Sequence, residues 1–290
     1  MIPHVNQKES LNHALRRACQ AHATRALAVL RGRNLPSAVH EARKEIKRLR
    51  ALFRLARSFH GRKEHREAAR LLRLAPKSLA ASRDARVRYR AFETLGKSTA
   101  GQFPEVRSCL QAAALQAEQQ LKDFDAAAVS EYFLEQVCDR LGHLSRTHLG
   151  WPQMRQHLEK NYERGRTAYR RAFKQPSPES FHQWRKRVKD LWYQLDFLCP
   201  AWPPATNALL EGLEQLGVQL GDDHDLVLLH RFTREHFAAA VEAAGIQKLI
   251  GTRRKQYGER IRRLGARLYG PAPGAVASQL EQDWQAWRHS

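Results

Sequence analysis

One string of residues occurs twice in this chain, and the repetition is its strongest constraint on folding. Pro36-Ser37-Ala38-Val39-His40-Glu41-Ala42-Arg43-Lys44-Glu45-Ile46-Lys47 reappears as Pro178-Glu179-Ser180-Phe181-His182-Gln183-Trp184-Arg185-Lys186-Arg187-Val188-Lys189. The common core reads P-x3-H-x2-RK-x-[IV]-K. A second match follows in the same order: Leu79 to Asp84 and Leu220 to Asp225 both read L-x4-D. Two ordered matches at nearly constant spacing argue for an internal duplication. Its boundary falls near Gly150, which divides the chain into halves 1–150 and 151–290.

The repeated unit is helical. Ala, Leu, Arg, Glu, Gln and Lys fill the long segments, and no stretch alternates as a strand would. The pattern predicts helices near 6–31, 37–59, 63–94 (broken near Pro76), 104–122 and 126–148 in the first half. In the second half it predicts helices near 153–174, 179–198, 204–219, 223–244, 246–268 and 275–289. Turn signals separate them, among them Asn34-Leu35-Pro36, Gly101, Gly150-Trp151-Pro152, Pro176-Ser177-Pro178 and Gly270-Pro271. The expected fold is all-α, built as two related helical bundles.

Each copy of the string makes a helix with one apolar and one cationic side. Arg43, Lys44, Lys47, Ala51 and Arg54 fall within about 60° of His40 on a helical wheel. Ala42, Ile46, Leu49, Phe53 and Ala56 lie opposite. In the second copy His182, Arg185, Lys186, Lys189 and Tyr193 share one side, with Trp184, Val188, Leu191, Leu195 and Leu198 opposite. An ordinary solvated face mixes acids with bases to gain i,i+4 pairs, whereas these stripes gather like charges, an arrangement that costs stability until an anion relieves it. The stripes therefore read as anion sites facing a shared groove. His40 and His182, each in the first turn after a proline, can donate to a phosphate oxygen when neutral and add a charge when protonated.

Other cations join this reading. Arg50 extends the first stripe. Arg25 and Arg166 occupy comparable places in the helix that opens each half, and Arg170 follows one turn later. Tyr162-x-x-Gly165-Arg166 suggests a close helix approach at Gly165 that aims the arginine inward. A planar guanidinium can contact two phosphate oxygens at once. Asp84 and Asp225 read as partners that orient a neighbouring Arg or Lys.

Composition narrows the function classes. The chain has 50 Lys plus Arg against 29 Asp plus Glu, a formal net charge of +21, and self-repulsion of that size points to an anionic partner. A hydrophobic fraction of 42% with 6 Trp and 11 Phe is enough to build a core. Cys19, Cys109, Cys138 and Cys199 lie far apart, so their spacing reveals neither a disulfide framework nor a zinc site; a reducing, cytoplasmic setting is expected. Met1-Ile2-Pro3-His4 does not open a secretory signal, and the most apolar stretch, near Phe237 to Ile246, is short and contains Glu242.

The H-x2-RK-x2-K helix, followed by L-x4-D and then repeated, resembles the CHAD domain, the conserved histidine α-helical domain. Leu220-Gly221-Asp222-Asp223-His224-Asp225 is similar to that family's second signature, and Tyr162-x-x-Gly165-Arg166 also fits. The resemblance spans essentially the whole chain. It implies two pseudo-symmetric bundles around a basic groove or pore that binds inorganic polyphosphate, without catalysis or cofactor, in association with polyphosphate granules and their proteins. The positions that carry over are His40, Arg43, Lys44 and Lys47, with His182, Arg185, Lys186 and Lys189. Trp192 stands where the first copy has Arg50, and Asp196 where it has Arg54, so the second half is expected to offer fewer cations at that end.

Three alternatives compete. Nucleic-acid binding suits the charge, but single-strand binders interleave stacking aromatics with cations, and the stripes offer mainly Tyr193. A metal-dependent phosphohydrolase could use Asp222, Asp223 and Asp225, yet the first copy keeps only the last acid, and neither a P-loop nor a nucleophile with an evident base is present. Insertion into an anionic membrane is weaker still, because both apolar faces are committed to the core.

Overall fold

The computed structural model describes residues 3–32, 35–55, 62–95, 102–142, 150–237 and 241–290. Over these residues the chain forms eleven α-helices and no strand. The first half contributes α1 (Leu11–Arg31), α2 (Leu35–Leu55), α3 (Arg62–Leu74), α4 (Ala80–Thr94), α5 (Pro104–Asp123) and α6 (Ala126–Gly142). The second contributes α7 (Trp151–Lys174), α8 (Pro178–Phe197), α9 (Pro204–His236), α10 (Val241–Tyr269) and α11 (Pro273–His289), with a 3-10 turn at Cys199–Ala201.

Local chemistry sets several of these boundaries. Ser10 caps α1, accepting from the His13 N–H at 3.3 Å, so this helix begins later than its periodicity predicts. Ser177 and Ser180 exchange hydrogen bonds of 3.0 Å ahead of α8, with Pro178 at its first position, where a missing N–H costs nothing. The expected break near Pro76 separates α3 from α4. The predicted positions 34, 56–59, 101, 143–148 and 238–240 lie outside the described residues.

One expectation is corrected. The segments 204–219 and 223–244 were predicted as separate helices, but Pro204–His236 is a single helix running through Gly217 and Gly221. These glycines answer to tertiary packing rather than to a turn. A Cβ on Gly217 would stand 2.8 Å from Cε of Lys189, and one on Gly221 would stand 3.1 Å from an Arg185 guanidinium nitrogen. Both lie on the face that α8 covers, where a missing side chain makes room for a long one.

The apolar faces read from periodicity are buried. Ala42, Ile46, Leu49 and Phe53 of α2, and Trp184, Val188, Leu191, Leu195 and Leu198 at or just past the end of α8, lose nearly all solvent contact. Trp184 is fully buried among Tyr169, Phe173, Phe181 and Tyr269, with the Tyr169 ring centroid 5.1 Å away. The corresponding part of α2 packs on smaller residues, Ala26, Leu27 and Leu30 of α1 and Leu79 before α4. The helices α2 and α8 also pack on each other. There the Gln194 amide donates to the Ala51 carbonyl at 3.0 Å in a buried bond and accepts from Asn161 at 2.7 Å in a partly buried one.

Candidate functional site

Three helices bring their cations to one place. Lys47 of α2 is acted on most strongly by Arg185 of α8, Arg83 of α4, Arg43 of its own helix and Lys189 of α8. Lys189 in turn feels Arg185, Arg48 and Lys44, with Glu214 of α9 the one acid among its strongest neighbours. The side chain of Lys47 reaches solvent, yet protein crowds around it. That crowding strips hydration from the ammonium, and the neighbouring cations add repulsion. Together they lower Lys47 to about 7 and Lys189 to about 8.

The guanidinium groups show the same frustration. Desolvation and the nearby Arg83 lower both Arg43 and Arg185, partly offset by Asp84 and Asp225 respectively. Nε of Arg43, Nε of Arg185 and Nδ1 of His182 are buried without a hydrogen-bond partner. Each such group costs about 1–3 kcal/mol of desolvation left uncompensated.

The shared acids behave as orienting partners. Arg83 bridges them, with Nη1 2.7 Å from Asp84 and Nη2 3.4 Å from Asp225. The remaining carboxylates of the Gly221–Asp225 string are engaged separately: Asp223 accepts from Arg254 at 2.8 Å, and Asp222 interacts with Tyr257. His224 stacks on His182 with centroids 4.5 Å apart. Burial and the surrounding cations hold both rings neutral, His182 falling to about 4 and His224 to about 3.

The predicted residues divide into two groups. Arg43, Lys47, Arg185 and Lys189 converge, with His182 at their margin, and Lys44 and Lys186 stand on the same two helices. His40 is exposed in the second turn of α2, its pKa lowered by desolvation and by Lys47, Lys44 and Arg90 against the pull of Glu41. Arg50 lies near Arg54 and Lys186. Arg54 is held elsewhere, 3.2 Å from Asp190 across the junction and 2.8 Å from the Arg50 carbonyl.

Three arginines lie away from this centre. Arg166 donates to the Tyr269 and Gly270 carbonyls at 3.1 and 3.3 Å, while the Tyr162 hydroxyl donates to Leu268 at 2.8 Å. Gly165 permits the approach, since a Cβ there would stand 2.6 Å from the Tyr269 hydroxyl. The close contact expected at Gly165 is present, but its arginine satisfies the open carbonyls at the end of α10. Arg170 is exposed on α7 and Arg25 half-buried on α1, and neither is among the strongest charges on Lys47 or Lys189.

Tyr193 is also relocated. It was expected on the cationic face, yet it is only 6% exposed, packed on Trp192 at 4.8 Å beneath the Lys189 ammonium. The end of α8 that carries it is turned inward by the junction with α2. The residues missed by sequence reasoning are Arg83 and His224. The available signal was position: Arg83 directly precedes the shared Asp84, and His224 sits inside the second signature.

Comparison with known proteins agrees with this architecture. The family model of the CHAD domain matches residues 13–234. Nothing among curated proteins matches the chain. A similar solved structure is the CHAD domain from the plant Ricinus communis, with a TM-score of 0.62 and 19% identity, covering 97% of this chain and 95% of that one. At that identity the likeness concerns the fold.

Proposed function

The chain belongs to the CHAD-domain family, and from that premise we propose that it binds inorganic polyphosphate, without catalysis, in a basic groove between two duplicated halves. The observation that carries this reading is the convergence of Lys47, Arg83, Arg185 and Lys189 from α2, α4 and α8, with Lys47, Arg185 and Lys189 all lowered by desolvation and by neighbouring cations. A polymer of phosphates presents charge and oxygen acceptors along its length and offers no base to read, which suits a track of cations without a stacking platform. The burial of Tyr193 weighs against single-stranded nucleic acid, since it withdraws the aromatic best placed for stacking. The separate engagement of Asp222, Asp223 and Asp225 likewise gives no support to a magnesium-dependent hydrolase. Association with polyphosphate granules extends the same reading.

Calorimetry with long-chain polyphosphate at two salt concentrations tests it, with a single-stranded oligonucleotide as competitor. Salt-sensitive binding that polyphosphate wins is the expected result, because released counterions drive association with any polyanion. Preference for the oligonucleotide would make the groove a nucleic-acid track, and phosphate release in magnesium would make it an active site.

A further inference from the structure

A second constellation lies outside the cationic cluster, where the N-terminal segment crosses the end of α8. One ligating atom each from His4, Asp196 and Cys199 lies within 4.8 Å of the other two, and all three residues are half-buried. We infer that His4, Asp196 and Cys199 form a binding site for a zinc-type divalent metal ion, which fastens the N-terminal segment to the end of α8.

The ligands are held in place by contacts that need no ion. The Val5 N–H donates to the Phe197 carbonyl at 3.0 Å, and Arg17 donates to the His4 carbonyl at 2.6 Å. Arg17 is itself fixed by Glu9, at 2.9 and 2.7 Å. Asp196 and Cys199 are three residues apart, so the last turn of α8 and the 3-10 turn after it bring both side chains toward His4. The backbone there is closed by Leu198 to Leu195 and Ala201 to Leu198 hydrogen bonds, each 3.0 Å.

The donor set selects the ion. A thiolate, an imidazole and a carboxylate form a mixed S, N, O set that suits zinc, whereas magnesium and calcium require oxygen throughout. Three protein ligands leave a fourth position for water. The two anionic ligands would balance the dication, so it can bind within a protein of net charge +21. Burial raises the Asp196 carboxylate, and Arg48 acts against that rise. Arg48 and His22 are both drawn to Glu45, at 2.9 and 2.5 Å. The present contacts also leave one requirement unmet: Nδ1 of His4 lies 2.8 Å from the Asp196 carbonyl oxygen and 3.3 Å from the Cys199 sulfur. A proton shared with that nitrogen can serve only one of these neighbours, whereas an ion would take the ring nitrogen, the thiolate and the Asp196 side-chain carboxylate together.

The test uses the full chain, free of any affinity tag, reduced and stripped of metal. Titration with cobalt(II) is expected to produce a thiolate-to-cobalt charge-transfer band that saturates at one equivalent and is displaced by zinc. Cys199→Ser should abolish the band, while Cys109→Ser and Cys138→Ser retain it. Loss of an outer-shell partner alone weakens metal sites about 10–100-fold, so His4→Gln and Asp196→Asn should weaken zinc by at least about that much. Should Cys199→Ser fail to fold, His4→Gln still decides the matter. Zinc should also slow amide exchange at residues 4–9 in wild type and leave the His4→Gln variant unchanged. No charge-transfer band in wild type, or a band that survives both Cys199→Ser and His4→Gln, would overturn the inference and leave the three residues as a hydrogen-bonded contact.

Discussion

The helices α2 and α8 carry the same string, and they diverge where they meet. Toward their N-terminal ends Arg43 matches Arg185, Lys44 matches Lys186 and Lys47 matches Lys189. On the adjoining face the charges are reversed: Glu45 and Arg48 of α2 correspond to Arg187 and Asp190 of α8. Of the reversed positions, Asp190 serves the junction. Asp190 receives Arg54 from the other helix, while Glu45 is buried with His22 and Arg48 inside the first half. Identity is thus retained among the cations that converge from the two helices, and complementarity appears at the Arg54–Asp190 contact between them. The cores beneath them differ as well, with a cluster of aromatic rings under α8 and small aliphatic residues under α2.

That contrast can be broken most forcefully in the core. Trp184→Ala removes a fully buried indole and is expected to destabilise the protein by about 3–5 kcal/mol, whereas Ile46→Val on α2 should cost about 0.5–1.5 kcal/mol. Chemical denaturation measures both; equal losses would erase the distinction between the two cores. Next in size is the double variant Lys47→Glu with Lys189→Glu. It should remain folded and lose at least about 100-fold in polyphosphate affinity at moderate salt, because four units of charge change where counterions are displaced.

Acidity sharpens the comparison further. Lys47 falls to about 7 and Lys189 to about 8, so the first stripe sheds its lysine proton before the second. Between pH 7 and 9 polyphosphate affinity should fall by up to about tenfold per pH unit for each lysine that must be charged to bind. Stability of the ligand-free protein moves the other way. Both lysines have folded pKa values below the ordinary 10.5, so the unfolded chain binds more protons from about pH 7 to 10, and these two groups make stability rise with pH across that window. Lys47→Arg should flatten the lower part of the affinity profile and Lys189→Arg the upper part; isothermal titration across pH distinguishes them. The smallest expected effect is that of Gly217→Ala. The added methyl meets only the flexible end of Lys189, and the helix gains about 0.5–1 kcal/mol of propensity. Stability should therefore change little while affinity drops a few-fold, a separation that a purely structural glycine would not produce.

Much of this was legible in the sequence. Proline and serine at the start of α8, and the apolar stripes of α2 and α8, are local signals, and the structure agrees with them. The continuity of α9 was not legible, because a glycine read locally signals a turn and only Arg185 lying across Gly221 gives it another meaning. Tyr193 misled for a related reason. A helical wheel assigns a face but not what covers it, and the last turns of α8 are covered by α2. Arg83 could not be ranked without knowing that Asp84 and Asp225, far apart in sequence, approach the same guanidinium. The His4–Cys199 pairing was hidden by the same distance along the chain.

The hollows left by Gly217 and Gly221 bear on the thermodynamics of capture. A lysine or arginine on an open surface samples many rotamers, and immobilising one on a ligand costs about 0.5–1.5 kcal/mol. Lys189 and Arg185 lie against a neighbouring helix in spaces shaped to their stems, with the Lys189 ammonium 4.2 Å from the centre of the Trp192 ring. The packing of their side chains along that helix narrows the rotamers open to them before any anion arrives. A polymer threading between α2 and α8 would therefore meet side chains already arrested, and its own flexibility would be the principal entropy lost on binding.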